Sequence, residues 1–159
     1  MRITDKYVFF WNGIYSQWHL ADMTIDGKTF NCCEQYMMYR KAMLFGDMEI
    51  AKEIMETRSP KEQKALGRKI QGFDKSIWDK NSLAIVYRGN FEKFSQNPDL
   101  KKELLSTGSR ILVEASPLDN IWGIGLAEDA NGVESPQNWK GLNLLGQAIT
   151  LVKNELAGE

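Results

Sequence analysis

Histidine and cysteine are scarce in this chain. Among 159 residues there is one histidine, His19, and there are two cysteines, the adjacent Cys32 and Cys33. Adjacent cysteines have poor geometry for a disulfide within one domain and poor spacing for a zinc site. We therefore predict two buried thiols, no bound metal and a reducing compartment. Mechanisms of the Ser-His, Cys-His and multi-histidine metal types would all depend on His19, and we do not expect them.

The patterns of membrane proteins, secreted proteins and two common nucleotide-binding folds are also missing. No apolar run approaches the length of a membrane span, and residues 1–6 lack the apolar core of a secretion signal. Neither a G-x-x-x-x-G-K-[ST] run nor a G-x-G-x-x-G run occurs, which argues against a P-loop or Rossmann site. We expect a cytoplasmic protein that has no cofactor and no membrane association.

Charge of either sign is not in excess. The chain has 20 Lys and Arg residues and 21 Asp and Glu residues, which gives a net charge of -1. Such a chain has no global basic field to collect nucleic-acid phosphates, so any DNA contact must be local. A 43% share of hydrophobic residues and a 26% share of charged ones fit one globular domain over residues 1–159.

Hydrophobic periodicity and turn signals predict a mainly helical α+β domain with a small β-sheet. Short strands are expected at 7–11 and 111–115, and Asp26-Gly27 between two short runs predicts a hairpin. Helices are expected to begin near residues 31, 47, 59, 74, 97 and 143, each behind a capping residue. A polar connection at 127–141 is long for a compact domain, and loops of that length are often functional.

Residues 31–41 carry the densest set of unlike functional groups in the chain. Asn31 is predicted to cap a helix, with Glu34 as the capping-box carboxylate that reaches back to it. Glu34, Met38 and Lys41 are spaced at i, i+4 and i+7, so they share one helix face. On these residues alone, the simpler interpretation is that Glu34 caps the helix and Lys41 is solvated.

A second unusual stretch, residues 116–125, combines Asp119, Trp122 and two glycines. If Glu34 and Asp119 meet in a cleft beside an indole, the chemistry suggested is cleavage of a ribosyl bond. One carboxylate would stabilise an oxocarbenium-like sugar or orient water, the second group would act as acid or base, and Trp78 or Trp122 would stack on the leaving base. The simpler interpretation makes Asp119 a turn former and places both tryptophans in the core.

Arg68 follows Gly67 and is a candidate for a phosphate contact. A guanidinium binds phosphate well because its planar fork of donors matches the phosphate oxygens. Arginine is nevertheless mostly exposed in proteins, so a solvated surface position is the alternative.

Ordered motifs run over nearly the whole chain, from about residue 8 to residue 156. They are Asp26-Gly27-Lys28-Thr29-Phe30, Glu34-Gln35-Tyr36 with Lys41-Ala42, Gly46-Asp47, Leu66-Gly67-Arg68, Trp78, Lys93-Phe94-Ser95-Gln96-Asn97, Leu112-Val113-Glu114-Ala115-Ser116, Asp119-Asn120-Ile121-Trp122-Gly123-Ile124-Gly125 and Gly141-Leu142-Asn143-Leu144-Leu145-Gly146. Together they resemble the motifs of the YbiA/NADAR family. The resemblance implies an enzyme with one mainly helical α+β domain, an N-glycosidase or ADP-ribosyl hydrolase.

The resemblance also implies site residues. The family's catalytic glutamate falls on Glu34, and a basic residue near the ribose falls on Lys41, which can attack an opened sugar as a Schiff base if burial lowers its pKa. We predict that the catalytic residues are Glu34, Asp119 and Lys41, and that the substrate-binding residues are Trp78, Trp122, Arg68, Gly123, Asn12 and Asn143. The family's early Ser-Asn-Phe pattern is Ser16-Gln17-Trp18 here, so a contact made by that asparagine is not expected to carry over.

Two substrates are implied by the resemblance. One kind of family member removes ADP-ribose from modified guanine in DNA, a repair activity, and the other hydrolyses aminopyrimidine and aminouracil ribose phosphates of early riboflavin synthesis. The Trp122-Gly123-Ile124-Gly125 stretch, together with residues 139–143, favours the first kind. The expected partner is therefore ADP-ribose linked to nucleic acid, with the free ribose phosphate as the alternative. A module that binds ADP-ribose or a nucleotide without turnover is a third interpretation.

Overall fold

The computed structural model describes residues 1–159 and contains five short strands and six helices. The strands are β1 (Arg2–Ile3), β2 (Tyr7–Phe10), β3 (Met23–Ile25), β4 (Lys28–Phe30) and β5 (Ile111–Glu114). The helices are α1 (Cys33–Leu44), α2 (Met48–Glu56), α3 (Pro60–Gly67), α4 (Lys75–Gln96), α5 (Pro98–Ser106) and α6 (Leu144–Ala157). The predicted mainly helical α+β class is confirmed. None of these helices combines the length and the apolar character needed to cross a membrane.

The chain divides into two compact units. One comprises Met1–Ser16 and Pro98–Glu159, and the other is Gln17–Asn97. The first unit contains a three-stranded sheet in the order β1-β2-β5, in which β2 pairs antiparallel to β1 and parallel to β5. Because β2 and β5 are parallel, the segments that follow them leave the sheet at the same edge. The strand β1 has only two residues, and the sequence pattern did not reveal it.

In the first unit, α6 packs directly against β5 at Gly146. A Cβ added to this glycine would lie 2.1 Å from the carbonyl oxygen of Leu112 in β5. No side chain larger than hydrogen fits there unless the helix moves off the strand. The glycine therefore sets the distance between α6 and the sheet, and the core residues of α6, such as Ile149 and Val152, are fully buried.

We expect Gly146→Ala to lower the free energy of unfolding by about 1–3 kcal/mol, the usual effect of overpacking. The clash is with backbone, which cannot rotate away as a side chain can. Urea unfolding measures the change. Gly158→Ala is the matched control, because a Cβ there would meet nothing closer than 3.6 Å, and a change within about 0.5 kcal/mol is expected. Equal stability of the two variants would contradict this account.

The second unit is organised around α1, which contacts α2, α3 and α4. The β3–β4 hairpin precedes it, and its turn residues Asp26 and Gly27 have φ angles of 51° and 80°. Positive φ at both central residues is the type I′ geometry that matches strand twist. The hairpin predicted from Asp26-Gly27 is therefore confirmed, and it leads the chain into the first turn of α1.

The predicted capping of α1 is wrong in its details. The N-cap is Cys32, whose side chain makes no capping hydrogen bond, and the backbone N–H of Asn31 donates to Oε1 of Gln35 at 2.8 Å. The Asn31 side chain instead contacts Arg58 and Gln63. The cap lies one residue later than predicted, so the side chain three residues on from it is Gln35. Glu34 is thus not the residue that reaches back to the cap.

Candidate functional site

Glu34 is a carboxylate in the core of the second unit. It lies in the first turn of α1, and only 6% of its surface is exposed. Its backbone N–H donates to the carbonyl oxygen of Gln17 at 3.0 Å, which fixes the start of the helix to the preceding segment. Carboxylates are almost never this buried without a specific function or partner. The first turn of a helix also favours an anion because of the helix dipole.

Lys41 lies two turns further along the same face of α1, half-buried among aromatic rings. Its Nζ is 4.7 Å from the ring centroid of Phe73 and 5.5 Å from that of Trp78. Burial lowers the pKa of Lys41, the charge of Glu34 raises it, and the charge of Arg68 lowers it again. Burial thus shifts the pKa of Lys41 in the direction that a nucleophilic lysine needs, and the nucleophilic role stays a prediction.

Arg68 lies near Lys41 because α3 packs closely on α1. We refer to Glu34, Lys41 and the side chains around them as the Glu34 cluster. A Cβ added to Gly67 would lie 2.1 Å from the Sδ of Met38, the residue between Glu34 and Lys41 on the α1 face. Without a side chain at Gly67, the end of α3 can rest on the Met38 thioether. Arg68 follows as the C-cap residue of α3.

Trp78, in the first turn of α4, forms a wall of the cluster and is 8% exposed. The second unit therefore brings together four of the predicted site residues, which are Glu34, Lys41, Arg68 and Trp78. A buried acid, an amine of lowered pKa, an indole face and a guanidinium are the groups needed to bind a ribosyl phosphate and to cleave its bond to a base. Of the two carboxylates considered from sequence, this unit contributes Glu34.

In the first unit, Asp119 organises the loop that follows β5. Its Oδ1 accepts hydrogen bonds from the backbone N–H groups of Ile121 and Trp122, both at 2.8 Å. This is an Asx-type turn, and it agrees with the simpler interpretation of Asp119 as a turn former. Trp122 is half-buried, and its carbonyl oxygen accepts from the N–H of Leu145. A catalytic role for Asp119 stays a prediction.

Gly123 and Asn143 join this loop to β5 and α6. A Cβ on Gly123 would lie 3.0 Å from the carbonyl oxygen of Glu114, so the loop passes close to the end of the strand. Asn143 has a left-handed backbone and begins α6, as predicted, but its side chain does not cap the helix. Its amide accepts from the N–H of Glu114 at 2.9 Å and donates to the carbonyl of Leu112 at 3.1 Å. These bonds give Asn143 a structural role.

Asn12 lies elsewhere in the first unit. It lines an open cleft of about 690 Å³ together with Trp11, Tyr15 and Glu103. Neither Asp119 nor Trp122 lines this cleft. Asn12 follows β2 and the Asp119 loop follows the parallel strand β5, but only Asn12 lines this cleft.

The two thiols are buried and free, as predicted. Cys32 Sγ contacts Oε1 of Gln63 at 3.1 Å, and Cys33 Sγ contacts Oδ1 of Asn90 at 3.7 Å. Burial raises the pKa of Cys32 to about 12 and that of Cys33 to about 11. Since the thiolate is the reactive form, neither cysteine is suited to act as a nucleophile at neutral pH.

Three residues near the Glu34 cluster were not predicted from sequence. Phe73 covers Lys41, and Trp18 carries the amino group of Lys64 over its ring at a distance of 6.0 Å. Phe73 stands in a helix-breaking segment and Lys64 on an ordinary charged helix, so neither gives a distinctive pattern. Trp18 did give a signal, because it stands where the Ser-Asn-Phe pattern of the family has phenylalanine.

Comparison with known proteins places these observations in a family. The NADAR domain matches residues 7–157. The chain is 46% identical to the protein named N-glycosidase R617 of Acanthamoeba polyphaga mimivirus, over 96% of this chain and 97% of that one. It is 35% identical to the chloroplastic riboflavin biosynthesis protein PYRR of Zea mays, over 69% of this chain but 16% of that protein. The NMR structure of the E. coli protein YbiA superposes with a TM-score of 0.80 at 26% identity, covering 98% of this chain and 88% of that one.

Proposed function

The chain belongs to the NADAR domain family, and we propose that it is an N-glycosyl hydrolase that uses Glu34 and Lys41 to cleave a ribosyl C–N bond. The relatives named N-glycosidases support the general class of reaction. The observation that carries the residue assignment is the cluster in the second unit, where buried Glu34 and half-buried Lys41 share one face of α1 beside Trp78.

In this proposal, Glu34 provides the negative charge. As the C–N bond lengthens, positive charge develops on the sugar, and a nearby carboxylate stabilises it or removes a proton from the attacking water. Trp78 supplies an aromatic face for the base or the sugar, and Arg68 supplies a guanidinium for phosphate.

For the substrate, we propose ADP-ribose attached to guanine in nucleic acid, so that the reaction reverses a DNA modification. The cations beside the cluster suit a substrate with several phosphates better than one with a single phosphate. The alternative is a riboflavin-pathway aminopyrimidine or aminouracil ribose phosphate. The similarity to the PYRR protein of Zea mays favours that alternative, although the match covers a small part of that protein.

A product assay on the purified protein tests both substrates. We expect release of free ADP-ribose from a guanine-ADP-ribosylated oligonucleotide, with the unmodified oligonucleotide as control, and slow or no turnover of an aminopyrimidine ribose phosphate. Turnover of the ribose phosphate alone would establish metabolite hydrolysis instead. Lack of turnover of either compound, combined with binding of ADP-ribose, would contradict the hydrolase assignment and indicate a binding module.

A further inference from the structure

Trp18 is anchored next to Glu34 by the residue that precedes it. The carbonyl oxygen of Gln17 accepts the backbone N–H of Glu34 at 3.0 Å, and the Gln17 side chain accepts from Nδ2 of Asn90 at 2.9 Å. Asn90 is fully buried in α4. Gln17 is therefore held by two hydrogen bonds, through its backbone and through its side chain. Trp18 directly follows this residue, which is bonded to the first turn of α1.

Trp18 is 42% exposed, so a large part of its surface is open to a ligand. The Nζ of Lys64 lies 6.0 Å from the centre of the indole ring. Proteins commonly bind nucleotides with an indole ring and a neighbouring cation, because every base has a face that stacks and every nucleotide carries negative charge.

Lys64 and Arg68 extend this surface along α3 towards Lys41. They are spaced at i and i+4, so they lie on one face of the helix. Both are exposed, and neither forms an ion pair with a carboxylate in this structure. Neither positive charge is therefore neutralised by a direct ion pair. The order Trp18, Lys64, Arg68, Lys41, Trp78 places three cations between two indoles, and we refer to these five residues as the cationic-aromatic arc.

We propose that Trp18 and Lys64 form a subsite for the nucleotide part of the substrate that lies beyond the reacting ribose, with the Trp18 indole stacked on a base and Lys64 on a phosphate. The inference rests on the proposed function, since it takes Glu34 and Lys41 as the reacting end of the arc. It favours nucleoside diphosphate sugars, free or attached to nucleic acid, over a lone ribose phosphate, because only they carry a base and a further phosphate beyond the reacting ribose.

Binding measurements separate this subsite from catalysis. We would titrate ADP-ribose and ribose 5-phosphate into the wild-type protein and follow the heat of binding. Wild-type protein is expected to bind ADP-ribose more tightly by about tenfold or more, the contribution of one base stacked on an aromatic side chain. Trp18→Ala should remove most of that advantage and leave the affinity for ribose 5-phosphate unchanged, and Trp18→Phe should restore it. Lys64→Gln should weaken ADP-ribose binding and reduce its dependence on salt.

Two exposed residues outside the arc serve as matched controls. Trp11→Ala removes an exposed indole of the first unit, and Lys69→Gln removes an exposed lysine that follows Arg68; both should leave the two affinities unchanged. An affinity ratio that is the same in Trp18→Ala as in wild type would overturn the subsite, as would an equal loss for both ligands. Absence of turnover of any N-glycoside, with the ratio still dependent on Trp18, would instead contradict the proposed function and leave the subsite standing.

Discussion

Glu34→Gln is expected to lower kcat for ribosyl C–N cleavage by about 10²–10⁴-fold, the range found when a positioned acid or base is lost. Glutamine has nearly the same shape as glutamate, so the buried site keeps its packing while it loses the negative charge and the proton acceptor. Steady-state release of the sugar product measures the effect, and the melting temperature shows whether the variant is folded. Glu53→Gln, an exposed residue of α2, is the control and should retain full activity.

The electrostatics of the cluster make this experiment specific for Glu34. The charge of Glu34 raises the pKa of Lys41, so replacement by neutral glutamine lowers that pKa further and increases the neutral fraction of the amine. Loss of activity in Glu34→Gln therefore cannot be explained by a lysine that has become fully protonated. Full activity of the folded variant would remove Glu34 from the mechanism.

The parts of the fold that rest on local chemistry could be predicted from the sequence. The hairpin at Asp26-Gly27 and the caps at Asp47, Ser59 and Asp74 depend on side chains that are adjacent in sequence to the backbone they stabilise. The strand β1 depends instead on pairing with β2, a tertiary contact that two residues cannot signal. Local reasoning failed in the same way at the start of α1.

At that point Asn31 and Glu34 fit a capping box by type and spacing, but other partners are available in the folded protein. The Asn31 amide is engaged by Arg58 and Gln63, and Gln35 accepts the backbone N–H of Asn31. Arg58 and Gln63 lie in other parts of the chain, and Gln35 is one residue beyond Glu34, so the capping-box pattern does not predict these contacts. As a consequence, the buried acid Glu34 is not the residue that accepts the N–H of Asn31.

For the candidate site, helix spacing was sufficient to place Glu34 and Lys41 on one face, but not to identify what surrounds them. Phe73 lies more than 30 residues from Lys41 in sequence and reaches it through the packing of the unit. Arg68 depends on the absence of a side chain at Gly67, which allows α3 to rest on Met38. These are packing relationships, and the burial and the neighbouring Arg68 charge that they create both lower the pKa of Lys41.

Replacement of Lys41 tests whether the amine reacts covalently. In the covalent route, the neutral Nζ attacks C1 of the ribose, the C–N bond breaks, and the base leaves with the bonding pair and a proton. The ring then opens to an imine between C1 and Nζ, and addition of water releases the sugar and regenerates the amine. We expect Lys41→Met to lower kcat by about a hundredfold or more. Lys69→Met, the exposed control, should retain activity.

Lys41→Arg separates this route from simple charge stabilisation, because arginine keeps the positive charge but stays protonated and cannot form the imine. Treatment with borohydride during turnover should attach the sugar to the wild-type protein, detected by intact mass, and not to Lys41→Arg. A fully active Lys41→Arg variant with no trapped sugar in the wild type would show that the residue acts as a cation, and the direct attack of water oriented by Glu34 would then be the mechanism.

The pH dependence supplies an independent check with a defined sign. The covalent route needs neutral Lys41, so activity should fall as the pH decreases through the pKa of this group. Burial and the neighbouring charge of Arg68 both lower that pKa. Arg68→Gln removes a cation that disfavours the ammonium form, so the pKa of Lys41 rises and the acid limb of the kcat profile moves to higher pH. A limb that stays in place would separate Arg68 from the titration of Lys41, and a shift to lower pH would contradict the effect of the Arg68 charge on the pKa of Lys41, whereas activity that rises as the pH decreases would contradict the requirement for a neutral amine.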